Sequence, residues 1–280
     1  MTCVLADFAL WLNVLGNAAG RILSVPIARL SPWLSNTIIA IPVGVLILVI
    51  FKYASNQKAI GRARDRITAN ILGIRLFKNN IATVLRSQLN VIMLALLTMI
   101  YSLLPLLIMT LPLILLLSQM ALWYQWQPLQ PGERALIVAT IDAEPETPLP
   151  ESEIIAITGA HVVAGPIHIP SKQQIIWQIE ARSTGYHEAI LRIGQHTTSK
   201  EFAVGQWPMR VSVTKPGRHW WHILLNPYEG TVGKSNLLSV SIDYSNRLNG
   251  FGGSSSWLLV FFASSFASAL LFKPLLGVKI

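Results

Sequence analysis

Metal sites and acid–base centres are built from histidine, cysteine and paired carboxylates, and this chain arranges few of them in a usable way. Of its six histidines, the tightest cluster is His219-Trp220-Trp221-His222. The segment is rich in strand-forming residues, and on a strand residues three apart point to opposite faces. The two rings then cannot share an ion without a bulge. His161 and His168, seven apart, fail for the same reason. His187 and His196 could meet across a hairpin, but no carboxylate pair or third His stands beside them. Cys3 is the single cysteine, which excludes an intrachain disulfide and a thiolate cluster. Neither a Gly-x-Ser-x-Gly nucleophile turn nor a Gly-x-x-x-x-Gly-Lys phosphate loop occurs. The expectation is a protein that is not an enzyme, with no catalytic residue, no metal and no cofactor.

The composition points instead to a membrane. Of 280 residues, 52% are hydrophobic and 12% charged, about half the charged share of a soluble domain. The apolar residues collect in three runs, at Thr37–Phe51, Val91–Trp123 and Trp257–Phe272. The net charge of +9 is also uneven. Residues 1–90 carry ten Lys/Arg against two acids, residues 126–256 carry ten against eleven, and Lys273 and Lys279 close the tail. The near-neutral middle lacks the basic face that displaces counterions from phosphates, so no DNA partner is expected.

Each run needs about 20 residues to cross a 30 Å hydrocarbon layer. A helix from Ser35 to Tyr53 suffices. Val91–Trp123 is too long for one upright span and too short for two, so it reads as one helix that tilts, projects, or kinks at Pro105 or Pro112. Trp257–Phe272 is a short third span. Lys52, Lys58, Arg62, Arg64, Arg66, Arg75, Lys78 and Arg86 lie between the first two runs, opposed only by Asp65, which places that loop in the cytoplasm. The N-terminus and residues 126–256 then lie outside and the C-terminus inside, as in a bacterial inner membrane. The first twenty residues hold no Lys or Arg, so the start lacks a secretory n-region and reads as retained.

Seven segments follow. Residues 1–34 form an interfacial amphipathic helix with Phe8, Leu12, Leu15, Ala19 and Ile22 toward lipid and Asn13, Asn17 and Arg21 on another face, followed by turns at Pro26 and Ser31-Pro32 and by Trp33 at headgroup depth. Residues 35–54 are the first span. Residues 55–89 form a basic cytoplasmic helical hairpin, with Ile60, Ile67, Ile71 and Ile74 on one face, a break at Lys78-Asn79-Asn80, and Ile81, Val84 and Leu85 resuming the pattern. Its alternative is a solvated linker beside anionic lipid. Residues 90–126 are the long Pro-kinked span, ending in the aromatic Trp123, Tyr124 and Trp126. Residues 253–273 are the third span and 274–280 the tail.

Between them, 127–252 changes period. Arg134–Ile141, Glu153–Ala160, Gln173–Arg182, Glu188–Ile193, Lys200–Val204, Met209–Thr214, Trp220–Leu225 and Leu238–Tyr244 read as eight short strands. That count suggests an antiparallel, immunoglobulin-like β-sandwich outside the membrane, with Gly250–Ser256 as a flexible linker. The expected fold class is an α-helical membrane protein with about three transmembrane helices plus an all-β extracytoplasmic domain.

This order of parts resembles the YidC/Oxa/Get superfamily of membrane protein insertases. The similar residues are Ser31–Ile50 with Lys52–Gln88, the Pro-containing Leu103–Pro112, and Ser256–Val278, where Lys273 precedes Leu275-Leu276-Gly277 as in the final span of archaeal YidC-like proteins and of the insertase subunit of the ER membrane complex. Two departures stand out: Thr37–Phe51 lacks the charge that bacterial members commonly carry in the first span, and the β domain replaces a short loop. The resemblance implies an insertase-like protein assisting membrane protein insertion or assembly. A polar groove would rest on Asn36, Thr37, Tyr101, Ser102, Thr110, Ser264, Ser265 and Ser268, which could equally bond their own backbone or pack against neighbours. Cytoplasmic contacts would use Lys58, Arg62, Arg64, Arg66, Arg75 and Lys78. The partners are membrane lipid and other membrane or envelope proteins, with the ribosome or a client polypeptide as candidates at the basic hairpin. The alternative is a membrane-anchored scaffold or accessory subunit of an envelope complex that binds a partner through its β-sandwich.

Overall fold

The computed structural model describes residues 2–24, 30–54, 57–76, 81–143, 147–233, 236–247 and 256–277. The expected turn at Pro26, the break at Lys78-Asn79-Asn80, the linker from Gly250 to Ser255 and the terminal Lys279 lie outside them.

Four long helices come first: α1 (Thr2–Ser24), α2 (Pro32–Ala54), α3 (Gln57–Leu76) and α4 (Ile81–Tyr124). Strands β1 (Arg134–Ile141), β2 (Ser152–Ile157), β3 (Ala160–Ile169), β4 (Gln174–Ala181), β5 (Gly185–Ile193), β6 (His196–Val204) and β7 (Thr214–Pro216) follow, then the short α5 (Trp220–Leu225), β8 (Leu237–Ile242) and α6 (Ser256–Leu276). Among the described residues, three stretches are long and apolar enough to cross a membrane: Pro32–Tyr53, Leu106–Tyr124 and Ser256–Leu276. The molecule is therefore a mixed protein with three membrane-length helices and antiparallel sheets. The chain divides into two compact units, Met1–Asn36 with Ile114–Leu259, and Thr37–Leu113 with Val260–Ile280.

In the first unit, a five-stranded sheet of order β3-β4-β1-β8-β7 and a three-stranded sheet of order β2-β5-β6 are antiparallel throughout. Strand alternation sends one face inward. Ile137 and Ala139 of β1, Ile175, Trp177 and Ile179 of β4, and Val240 and Ile242 of β8 join Leu191, Phe202 and Val204 of the smaller sheet in one buried core.

Several expectations need correction here. Trp220–Leu225 is a helix: Ile223 and Leu224 are both buried against Ala6 and Ala9 of α1, which neighbours about 100° apart on a helix can achieve and neighbours on opposite strand faces cannot. The β-propensity of Trp and Ile loses to that tertiary contact. Met209–Thr214 is not a strand: only Thr214 enters β7, while Val211 N–H bonds Leu122 O instead of a ladder partner. β3 is not among the expected strands, and it contains Gly165-Pro166. It tolerates them as an edge strand with register shifts between Val162 and Ile167.

In the second unit, α3 and α4 meet where a side chain at Gly73 would contact Ser87. α4 is helical without interruption from Ile81 through Pro105 and Pro112 to Tyr124, so the second arm of the expected hairpin runs on into the long helix. Ala63 is buried on α3, whereas Ile71 of the expected apolar face is exposed. The side chain of Ile60 lies outside the described set.

Candidate functional site

Within the second unit, α2 presents Ala40, Gly44 and Leu48, four residues apart and buried, and α6 presents Phe261, Ser265 and Ser268. Ser268 Oγ donates to Ile41 O across the seam (3.0 Å) and stands 2.9 Å from Ser265 O of its own helix. A Cβ on Gly44 would lie 2.1 Å from Ser265 O, so only glycine permits this approach. Ser265 Oγ bonds Phe262 O, and Thr110 Oγ1 bonds Leu106 O. These hydroxyls are used by backbone carbonyls, the packing role open to Ser and Thr in membrane helices. Ser264 is half-buried. Thr37 belongs to this unit, whereas Asn36, donating to Trp257 O (2.8 Å), belongs to the other. The side chains of Tyr101 and Ser102 lie outside the described set.

On α3, Arg62, Arg64 and Arg66 are exposed. The side chains of Lys58 and Arg75, and all of Lys78, lie outside the described residues.

The first unit holds two polar clusters that the sequence reading did not assign. Arg210 Nη2 donates to Asn17 Oδ1 (2.8 Å) and Gln119 Oε1 (2.9 Å), and its guanidinium lies 4.6 Å from the Tyr228 ring centre. Gln119 fits because Gly16 and Gly20 leave room, where a Cβ would come within 3.3 and 3.2 Å of it. The Gly-x-x-x-Gly spacing was the available signal. α1 keeps Phe8 and Leu15 on its outward face, as expected, whereas Leu12 packs inward. Asn13 and Asn17 face protein, donating to Ile223 O (2.6 Å) and Pro227 O (2.7 Å), and Phe8, Trp11, Val14 and Leu15 are exposed. The polar face wins the contact because it finds carbonyls and an arginine there. The side chains of Ala19, Arg21 and Ile22 lie outside the described set.

The second cluster is Lys200, 0% exposed on the core face of β6. It pairs with Glu229, which also accepts from Ser212 Oγ, and it donates to Ser212 O (2.8 Å) and Glu201 O (3.0 Å). Burial pushes the Lys200 ammonium below its ordinary value, and the charge of Glu229 opposes this. An amine beside a hydroxyl could serve nucleophilic chemistry. Here the carboxylate takes both groups, Nζ stands 3.4 Å from Ser212 Oγ, and Ser212 is buried. The arrangement is that of a buried ion pair closing a core. Its sequence signal was the period of two that puts Thr198, Lys200, Phe202 and Val204 on one face.

The histidines do not assemble. His219 precedes α5 as its N-cap and His222 lies in its first turn, with ring centres 5.4 Å apart, not on opposite strand faces. They border a cleft of about 670 Å³ that includes Asp142, Arg218 and Asn226. His187 pairs with Phe202 in the β5–β6 ladder and His196 with Ile193, so the two do not meet across that hairpin. Among the described residues, no three His, Cys, Asp or Glu side chains converge. Comparison with protein-family models, with curated proteins and with solved structures gives no match.

Proposed function

We propose that this chain is a non-enzymatic, insertase-like integral membrane protein that assists the insertion or assembly of other membrane proteins. One observation carries the reading. From Val91 to Leu117, α4 has no buried side chain among those described, although it is apolar on nearly all sides. A helix of that composition must be covered by lipid or by another polypeptide. An uncommitted apolar helix continuous with a basic hairpin suits transient contact with client helices, in line with the insertase resemblance. The charge asymmetry supports a cytoplasmic α3, an outer immunoglobulin-like sandwich, a cytoplasmic C-terminus and a bacterial inner membrane. Arg64→Cys should be labelled only after the cytoplasm is opened, and Lys215→Cys from outside.

The test is insertion of a short-tailed client into proteoliposomes, with a photo-crosslinker at Met93 or Leu97. The expected result is insertion above empty liposomes and a client adduct. The absence of both insertion and adduct would overturn the proposal. Replacing Arg62, Arg64 and Arg66 with Glu should weaken recruitment if these charges dock ribosomal RNA or anionic lipid.

A scaffold reading is favoured by a different observation: Arg210, Asn17 and Gln119 fix the sheet-bearing part of the first unit to α1 and to the end of α4. A fixed platform suits partner capture. Joining Gln127 to Gly252 by a short Gly/Ser linker removes the sandwich. An insertase should retain insertion, whereas a scaffold should lose its partner.

A further inference from the structure

α5 belongs to the chain between two strands, yet it lies along α1. Arg218 pairs with Asp7 (3.6 Å), Asn13 reaches Ile223 O and Asn17 reaches Pro227 O, so the two segments run side by side in the same direction. α1 in turn is held to α4, because Gln119 packs on Gly16 and Gly20 and Leu115 packs on the cluster of Ala6, Ala9, Ile223 and Leu224. Gln119 and Leu115 lie inside the membrane-length stretch Leu106–Tyr124. At 1.5 Å per residue they stand about 7.5 and 14 Å from its Tyr124 end, within the half-thickness of about 15 Å of a hydrocarbon layer. Whatever packs there is at lipid depth or at its edge.

The outward faces match that position. Phe8, Trp11, Val14 and Leu15 of α1 are exposed, as are Trp221 (39%) and Leu225 (45%) of α5. The polar side chains Asn13 and Asn17 are turned inward to carbonyls, which is the arrangement that lipid demands and water does not. Arg218, His219 and His222 are exposed at the start of α5 and need headgroups or water, which sets the helix in the interface and not in the hydrocarbon centre.

We propose that α5 is a membrane-seated element, and that α1 and α5 together form a two-helix wedge whose outward apolar faces are covered by phospholipid. The sandwich then sits on the bilayer through its own helix as well as through its flanking spans. This inference rests on the membrane reading of α4 and is independent of whether the protein inserts clients.

Depth-dependent quenching tests it. A Cys3→Ser background carries one environment-sensitive dye at Trp221→Cys, Leu225→Cys, Ile155→Cys on exposed β2, or Leu107→Cys on α4, in phosphatidylcholine vesicles with nitroxide at shallow or deep acyl positions. Dyes at 221 and 225 should be quenched by shallow nitroxide several-fold more than the dye at 155, and shielded from iodide, while the dye at 107 is quenched within the bilayer. If 107 is quenched and 221 and 225 behave like 155, the wedge is wrong and the span stands. If 107 is not quenched either, the membrane reading of α4 fails and this inference with it. Shielding of 221 and 225 from both quenchers means that protein, not lipid, covers the face, and also overturns the proposal.

Discussion

Along β4, every second side chain is out of reach of water: Ile175, Trp177, Ile179 and Ala181. Along α4, none of the described side chains between Val91 and Leu117 is buried, including Leu96, Met99 and Leu107. Both stretches are apolar, and they differ in the solvent they answer to. Water drives apolar groups together, so the sandwich closes on a dense core. Lipid gives no such drive, and helices within it meet through small residues and single hydroxyls, as Gly44 and Ser268 do. Sparse packing in one part and dense packing in the other thus follow from one rule applied in two media.

The sharpest test of the dense side is Glu229→Ala, which leaves Lys200 buried without its carboxylate. It should cost about 3–5 kcal/mol in denaturant unfolding followed by β-sheet circular dichroism, with Lys200→Met/Glu229→Leu recovering most of the loss. Retained stability in the single variant would mean that water reaches Lys200. On the sparse side, Gly44→Leu drives a side chain into the Ser265 carbonyl and should destabilise the α2–α6 seam by about 1–3 kcal/mol or force the helices apart. An unaffected melting temperature in micelles would show that the seam carries no stability.

The sandwich should also be sensitive to alkali. Burial raises the Tyr228 and Tyr244 phenols above the ordinary value of 10.0, reinforced for Tyr228 by its bond to Glu201. Above that value the unfolded chain releases both protons while the folded one retains them. The unfolded state therefore binds fewer protons, and stability, fully present below pH 10, falls as the pH rises beyond it. Tyr244→Phe should flatten part of that fall in an alkaline titration read by tyrosinate absorbance. The smallest effects belong to the helices. Ser268→Ala should cost about 0.6 kcal/mol. Leu107→Ala should stay within about 0.5 kcal/mol in micelles. A large loss at Leu107 would mean that α4 is packed after all.

Much of the architecture is local and was legible from the residues. Hydropathy alone places the three membrane-length helices, because a run of about 20 apolar residues has few other fates. Richness in Val and Ile after the Pro131-Gly132 punctuation marks β1 at Arg134–Ile141 residue for residue, because β-branched residues between turn signals favour a strand. The charge asymmetry around α3 is likewise written in order along the chain. Other decisions depended on what lies opposite. Trp220–Leu225 carries the residue types of a strand and becomes a helix only because α1 offers a surface at helical spacing. α1 has two eligible faces, and only the carbonyls of Ile223 and Pro227 with the guanidinium of Arg210 choose the asparagine side. Lys200 can enter a core because Glu229, distant in sequence, neutralises it there. Composition and period are properties of a segment, whereas a buried charge, a glycine contact and the choice between two faces are properties of a pair, and the second member is supplied by the tertiary fold.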